Sequence, residues 1–256
     1  PCFTASQVTY LISDTRSPVL ATVCMHQLTS YTSSISILCM AGFYTSLFRS
    51  YQDEASPGWV FYAFICWGFA SIVWPQALFF VPVFWLLMGV LLRAWSARHF
   101  CASLLGLLLP YAVVTAVLAV RGDLERMVSH FAQLGQFSPI FEFTALSIDQ
   151  IVALTFVTLC ALIGSIHFLR KSHNDNIRTR QFYFFFLIID GLTFAYLCVQ
   201  PSQYEALLGI LIVNTSPVIG HLWALTRTKW TNGLFLVATT LAVLLVAYNL
   251  MRSFIH

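Results

Sequence analysis

The sequence predicts an all-α fold, a polytopic transmembrane helical bundle of about eight spans. Three observations support this prediction. Hydrophobic residues make up 59% of the 256 positions and charged residues only 9%, whereas a soluble domain carries roughly 25% charged residues. The apolar residues form runs close to the ~20 residues that cross a bilayer. The chain also contains 23 Phe, 10 Tyr and 7 Trp, and aromatic rings collect at membrane interfaces.

Eight apolar stretches have the composition of membrane spans. They cover residues 31–48, 57–74, 75–92, 101–120, 151–169, 182–200, 206–226 and 233–251. The second and third are continuous, and as one helix they would extend about 54 Å at 1.5 Å per residue. The apolar core of a bilayer is only ~30 Å thick. Because proline removes a hydrogen bond from the preceding turn, we expect a break and a tight hairpin at Trp74, Pro75 and Gln76.

The basic residues predict the orientation of these spans. One face receives Arg49, Arg93, Arg98, Arg170, Lys171, Arg178, Arg180, Arg227 and Lys229, and the other receives Arg16, Arg121, Arg126 and Arg252. The positive-inside rule assigns the richer face to the cytoplasm, so both ends of the sequence are expected outside. Since the sequence opens on Pro1 without a visible signal peptide, we expect a leader or further spans to precede it.

Two polar segments are expected on the outer face of the bundle, which itself covers residues 31–256. Residues 1–30 are rich in Ser and Thr and too polar to span. In residues 121–146, apolar side chains recur every three or four positions after Asp123, which predicts a short amphipathic helix at the interface with Asp123 as its cap. These side chains are Leu124, Met127, Phe131 and Leu134. Ser147 and Gln150 then predict a capping box that opens the next span.

Asp190 is the strongest candidate for a functional residue. Nine of the ten carboxylates lie in the connections between apolar stretches, whereas Asp190 lies inside residues 182–200. An ionisable group at this depth costs several kcal/mol unless it is paired, hydrated or protonated. An intramembrane carboxylate therefore marks a functional site by default.

The following span carries the polar segment Asn214, Thr215, Ser216 and Pro217, and then His221. At 1.5 Å per residue, Ser216 and Pro217 lie at nearly the level of Asp190, with Asn214 above them and His221 below. Pro217 is expected to break the helix there. Broken membrane helices can offer free carbonyls to a cation or polar ligand. One interpretation is a proton, cation or substrate site formed by Asp190, Asn214, Ser216 and His221. The other is a structural polar core that joins neighbouring helices.

A second candidate site is a basic group around the connection between the fifth and sixth spans. It consists of Arg170, Lys171, Arg178 and Arg180. Such a group can hold an anionic lipid headgroup or a phosphate, although positive-inside anchoring explains the same residues without a ligand. Membrane lipids are the expected partners, and other membrane subunits are a further option. The net charge of +3 is too small to indicate nucleic acid.

A third candidate is Asp14, which would face outward. A polyprenyl-phosphate-sugar glycosyltransferase needs such a base, but a single loop Asp is a weak signal. The sequence contains no phosphate-binding loop, HExxH, GxSxG or dinucleotide fingerprint, so nucleotide-driven and hydrolytic functions are unsupported. Seven Cys without CxxC spacing are interpreted as small hydrophobic residues. We therefore predict no metal and no cofactor.

A family resemblance is carried mainly by residues 58–120. The segments GFASIVWPQALFF, LLRAWSARHF and SLLGLLLPYAV follow one another there, and the later IRTR turn and SPVIGH segment agree with the same pattern. These motifs resemble an uncharacterised family of multi-pass inner-membrane proteins found mainly in Bacteroidetes, catalogued as a domain of unknown function. The resemblance implies an α-helical bundle in a bacterial inner (plasma) membrane, and it supplies no catalytic residues.

Three functions remain open from the sequence. The first is a transporter-like protein, or one that handles an envelope component, with its polar site at Asp190. The second is a lipid-linked glycosyltransferase that uses Asp14. The third is a non-catalytic membrane subunit of an envelope complex, which the short loops and the missing soluble domain favour.

Overall fold

The computed structural model describes residues 31–53, 55–137, 146–225 and 240 of the chain. Within these ranges the regular structure is entirely helical and comprises eight α-helices joined by short 3-10 turns and loops. The helices are α1 (Tyr31–Leu47), α2 (Pro57–Val73), α3 (Val81–Val90), α4 (Ala97–Arg121), α5 (Glu125–Ala132), α6 (Ile148–Lys171), α7 (Ile177–Val199) and α8 (Tyr204–Leu225). The predicted all-α class is confirmed. The predicted polar segment 1–30 lies outside the described residues.

Among the described residues, four helices are long and apolar enough to cross a membrane, as an integral membrane protein requires. They are Ala97–Arg121, Ile148–Lys171, Ile177–Val199 and Pro201–Leu222, and they match the fourth to seventh predicted spans. The first two predicted spans coincide with α1 and α2, of 17 residues each. The third coincides with the 3-10 helix Pro75–Phe80 followed by α3, which have 6 and 10 residues. All three segments fall short of the ~20 residues that a straight crossing needs. The eighth, 233–251, lies almost entirely outside the described residues. The total of eight spans therefore stays a prediction.

The exposed surfaces of the long helices are apolar. In α4, Leu105, Leu108 and Val113 are 61%, 58% and 57% exposed, and in α6 Leu159 and Leu162 are each 53% exposed. A helix that faces water carries polar side chains on its outer face. These exposed aliphatic side chains instead fit contact with lipid acyl chains.

The chain divides into two compact units, one formed by Ile35–Pro139 and the other by Pro1–Ser34 with Ile140–His256. In the unit Ile35–Pro139, α2 and α4 approach closely at two glycines. A Cβ atom added to Gly106 would lie 2.5 Å from the carbonyl oxygen of Phe61, and one added to Gly68 would lie 3.0 Å from a backbone oxygen of α4. Small residues allow this close approach of helix backbones.

The apolar stretch 57–92 breaks where the sequence predicts. Helix α2 ends at Val73, and Trp74 adopts an extended backbone with φ −134° and ψ 95°. A 3-10 helix, Pro75–Phe80, then leads into α3. The predicted break at the proline is therefore confirmed.

The two arms of the chain on either side of this break fold against each other. One arm is α2, and the other is the 3-10 helix Pro75–Phe80 followed by α3. The Nε1–H group of Trp67 donates to the carbonyl oxygen of Ala77 at 3.1 Å, and its ring lies 4.6 Å from the ring of Phe84 between centroids. At the opposite end, the N–H of Gln52 donates to the carbonyl oxygen of Leu92 at 3.0 Å. The arms therefore begin and end side by side, as a hairpin does.

The predicted amphipathic helix after α4 forms as α5, and none of its residues is buried. The prediction that Asp123 caps it is wrong. Its N-cap is Leu124, which makes no side-chain capping bond, and the Asp123 carboxylate pairs with Arg126 instead. A charged donor is a stronger partner for a carboxylate than a backbone N–H. The ring of Phe131 stacks on Tyr111 with centroids 5.4 Å apart, and the outer-face position of α5 stays a prediction.

In the other unit, α6, α7 and α8 carry the candidate site. Helix α6 begins with the predicted capping box, in which Ser147 Oγ accepts from the Gln150 N–H and the Gln150 side-chain oxygen accepts from the Ser147 N–H. In the apolar span of α8, 78% of the residues are buried, whereas the apolar spans of α6 and α7 have 28% and 44% of their residues buried. Helix α8 is therefore the most enclosed of these three helices.

Candidate functional site

Asp190 lies near the middle of α7 and is only 6% exposed. The hydroxyl of Thr215 on α8 donates to its carboxylate, at 3.1 Å to Oδ2 and 3.3 Å to Oδ1. Among the described residues, Thr215 is the one hydrogen-bond donor to this carboxylate. The polar segment of α8 therefore lies beside Asp190, at the level that the rise per residue predicts.

The other polar residues of this segment have different environments. The hydroxyl of Ser216 donates to the carbonyl oxygen of Ile212 in its own helix at 2.8 Å, so Thr215 takes the place predicted for Ser216. Asn214 is completely buried beside Thr215. Helix α8 continues through Pro217, so the expected break there is not found.

His221 belongs to a separate group nearer the α6–α7 connection. Its Nε2 atom lies 2.9 Å from Oδ2 of Asp175, and the two side chains are 4% and 14% exposed. The ring of His167 on α6 lies 6.0 Å from the ring of His221 between centroids. We call Asp175, His221 and His167 the histidine–aspartate cluster. Sequence reasoning missed Asp175, because a carboxylate in a connection is ordinary.

Aromatic rings surround His221. Its centroid lies 4.7 Å from that of Tyr183 on α7 and 5.5 Å from that of Phe168 on α6. The rings of Phe168 and Tyr183 are themselves 5.2 Å apart. Hydrogen bonds are electrostatically stronger in such a weakly polar environment than in water. The hydrogen bond between His221 and Asp175 is therefore stronger than the same contact would be in water.

The basic group predicted from the sequence lies around the same connection. Arg170 and Lys171 end α6, while Arg178 and Arg180 lie in the first turn of α7. Arg170 is exposed, the other three are half-buried, and the guanidinium of Arg178 stands 5.5 Å over the Phe182 ring. The fold thus brings the four cations to one end of α6 and α7. Contact with a lipid headgroup stays a prediction.

Two remaining predictions concern Asp14 and metal binding. Asp14 lies outside the described residues, so the glycosyltransferase hypothesis stays a prediction. Within the ranges that the structure describes, no group of three or more His, Cys, Asp or Glu side chains could hold a metal ion. The cysteines described there are free.

Comparison of the chain with family models, curated proteins and solved structures gives no match. The resemblance to the uncharacterised inner-membrane family therefore stays a prediction. Two buried polar groups on α6, α7 and α8 are the candidates for function, Asp190 with Thr215 and the histidine–aspartate cluster.

Proposed function

We propose that this chain is a multi-pass protein of a bacterial inner membrane, with about eight spans, that moves a small solute or envelope component. In this proposal Asp190 binds a proton or a small cation during transport. Four helices long enough to span and their exposed apolar surface support the membrane assignment. The resemblance of residues 58–120 supports a bacterial inner membrane. The excess of basic residues supports a cytoplasmic α6–α7 connection.

The observation that carries the proposal is the environment of the Asp190 carboxylate. It is 6% exposed, and the Thr215 hydroxyl supplies one hydrogen to it. An ionised carboxylate has about four acceptor positions. A charge at this depth is costly unless it is compensated, and intramembrane carboxylates of this kind line proton and ion pathways. A proton or a cation is the simplest group to complete the coordination of Asp190.

A purely structural role is the competing hypothesis for the same two residues. Asp190 would then stay protonated, and its contact with Thr215 would only join α7 to α8, as polar side chains do in membrane bundles. The two roles differ in one measurable property. A binding site exchanges its proton or cation with the medium, whereas a structural carboxyl group does not.

Chemical modification of Asp190 in proteoliposomes distinguishes the two roles. Dicyclohexylcarbodiimide is an apolar reagent that reacts with protonated carboxyl groups inside membranes, and mass spectrometry quantifies the modified peptide. We expect the modification of Asp190 to slow several-fold in alkaline medium or when NaCl replaces choline chloride. Both changes remove the reactive acid from a site that exchanges with the medium.

The control for this experiment is Asp190→Asn, which should remove the modified peptide and leave labelling elsewhere unchanged. Thr215→Ser keeps the hydroxyl and should keep the response to sodium or alkali. A modification rate at Asp190 that responds to neither condition would refute the binding role and support the structural one.

The four basic residues support a lipid partner at the cytoplasmic face. Arginine and lysine at a membrane surface attract anionic headgroups at about 1 kcal/mol per side chain. We therefore propose that Arg170, Lys171, Arg178 and Arg180 hold an anionic lipid. Native mass spectrometry with cardiolipin and with phosphatidylcholine tests this proposal. Exchange of Arg170 and Lys171 for Gln should reduce retention of cardiolipin selectively.

A further inference from the structure

His221 and Asp175 form a buried histidine–carboxylate pair that the Asp190–Thr215 contact does not involve. An ionised Asp175 can only accept a hydrogen bond, so the hydrogen at the 2.9 Å contact lies on Nε2 of His221. The partner of one ring nitrogen sets the tautomer of a neutral histidine. The lone pair of the neutral ring is therefore on Nδ1, and this is the atom at which His221 can accept a proton.

That Nδ1 atom is buried and has no hydrogen-bond partner among the described residues, and the same holds for both ring nitrogens of His167. Such orphaned polar atoms are costly and call for an explanation. The two ring centroids are 6.0 Å apart. The two imidazoles are thus neighbours that together carry three ring nitrogens without a partner among the described residues.

Charged and titratable groups face His221 from each element around it. Asp175 comes from the connection, His167 from α6 and Tyr183 from α7. Lys171 of α6 lies near His167. Asp175 is 14% exposed whereas His221 is 4% exposed. The carboxylate therefore connects the buried ring to water.

We propose that Asp175, His221 and His167 form a proton-transfer site that links water at the α6–α7 connection to Asp190, so that the ion bound at Asp190 is a proton. This inference rests on the proposed function of Asp190. A proton that reaches Nδ1 of His221 forms an N–H bond there. The Nε2–H bond then breaks, and its proton passes to the Asp175 carboxylate and on to water. The ring is neutral before and after, and rotation of the ring resets it. The reverse sequence takes up a proton.

The cluster lies a short distance from Asp190. On α8, six residues separate Thr215 from His221, about 9 Å along the helix axis. On α7, seven residues separate Tyr183 from Asp190, about 10.5 Å. Both helices place the cluster on the side of Asp190 that leads to the α6–α7 connection. A chain of about four hydrogen bonds of ~2.8 Å each covers this distance.

Proton flux into proteoliposomes tests the proposal. A potassium diffusion potential drives the flux, and a pH-sensitive dye inside the vesicles reports it. His221→Gln keeps a polar side chain but cannot accept and release a proton, so the flux should fall about tenfold or more. Asp175→Asn should act in the same direction. The matched control is His173→Gln, an exposed histidine in the neighbouring 3-10 turn, which should leave the flux unchanged.

A flux in His221→Gln equal to that of the wild type, in protein that elutes as one folded species, would overturn the proposal. If this variant does not fold, Asp175→Asn provides the same comparison. Asp190→Asn separates the two hypotheses. If the flux is lost in Asp190→Asn but kept in His221→Gln, the cluster is not part of the proton pathway and Asp190 is. If the flux is kept in Asp190→Asn but lost in His221→Gln, the cluster is part of the pathway and Asp190 is not. Wild-type flux no greater than that of empty vesicles overturns the proton-transfer site.

Discussion

Replacement of Gly106 by alanine is expected to push α4 away from α2. The added Cβ atom would lie 2.5 Å from the carbonyl oxygen of Phe61 and 3.1 Å from the Cβ atom of Phe64. Ordinary van der Waals contact begins near 3.4 Å, so the closest pair is about 0.9 Å too near. A backbone carbonyl in a helix cannot swing away as the end of a flexible side chain can. The two helices have to separate instead.

The size of the effect follows from packing and helix propensity. Overpacking costs about 1–3 kcal/mol, and a gap of 0.5–1 Å forfeits roughly a quarter to a half of the dispersion energy of the separated atoms. Alanine in a helix is also favoured over glycine by about 1 kcal/mol. Gly89→Ala in the same unit provides the control, because its Cβ would meet the nearest atom at 3.8 Å. The difference between the two variants isolates the packing cost, about 1–3 kcal/mol.

Unfolding with SDS in mixed micelles, followed by circular dichroism, measures this difference. Gly89→Ala should be at least as stable as the wild type, and Gly106→Ala should unfold at a lower fraction of SDS. Equal stability of the two variants would refute the close backbone contact between α2 and α4.

Three further changes test other parts of the structure. Thr215→Val removes the hydroxyl that donates to Asp190 and should lower the free energy of unfolding by about 1–3 kcal/mol. Thr215→Ser keeps a hydroxyl and should retain most of that free energy, and SDS unfolding compares the two variants. Ser147→Ala removes the cap of α6 and should cost about 0.5–2 kcal/mol, and unchanged amide exchange in the first turn of α6 would contradict this. Partial burial lowers the pKa of His130 below its usual range, so folding favours the neutral ring. The neutral ring's contribution to the free energy of unfolding is complete above the unfolded-state pKa of His130. It is lost as the pH falls from there toward the folded-state pKa. Acidification should therefore speed hydrogen exchange in α5, and His130→Asn should remove this pH dependence.

The ends of several helices could be predicted from local chemistry alone. Helix α2 stops at Val73 because Pro75 cannot continue its hydrogen bonds, and α6 starts after Ser147 because that side chain and Gln150 satisfy each other's backbone donors. These interactions involve residues within four positions of one another. They do not depend on how the helices pack.

The sequence could predict the depth at which a residue of α8 contacts Asp190, but not which face of α8 points toward the carboxylate. Residues 214–216 differ by only ~3 Å along the axis of α8, while each residue turns the side chain by about 100°. The axial rotation of α8 is set by its packing against α6 and α7, which no local pattern records. That rotation puts Thr215, and not Ser216, against the carboxylate.

Asp175 could not be found from the sequence for a similar reason. It lies 46 residues before His221, in a connection where an acidic residue normally faces water. Its role as the partner of a buried imidazole depends on α8 passing beside the α6–α7 connection. Only the packed structure shows that relation.

The hydrogen bond between Gln52 and Leu92 determines whether the chain between them crosses the proposed membrane an even or an odd number of times. Since these two backbones are bonded at 3.0 Å, the two ends of this segment lie side by side, and in the proposed membrane the chain would enter and leave the bilayer at the same face. The number of crossings is therefore even, whether the short helices α2 and α3 traverse the bilayer or only dip into it. The orientation of α4 is consequently insensitive to the length of either arm, and only the loss of a whole arm would invert it.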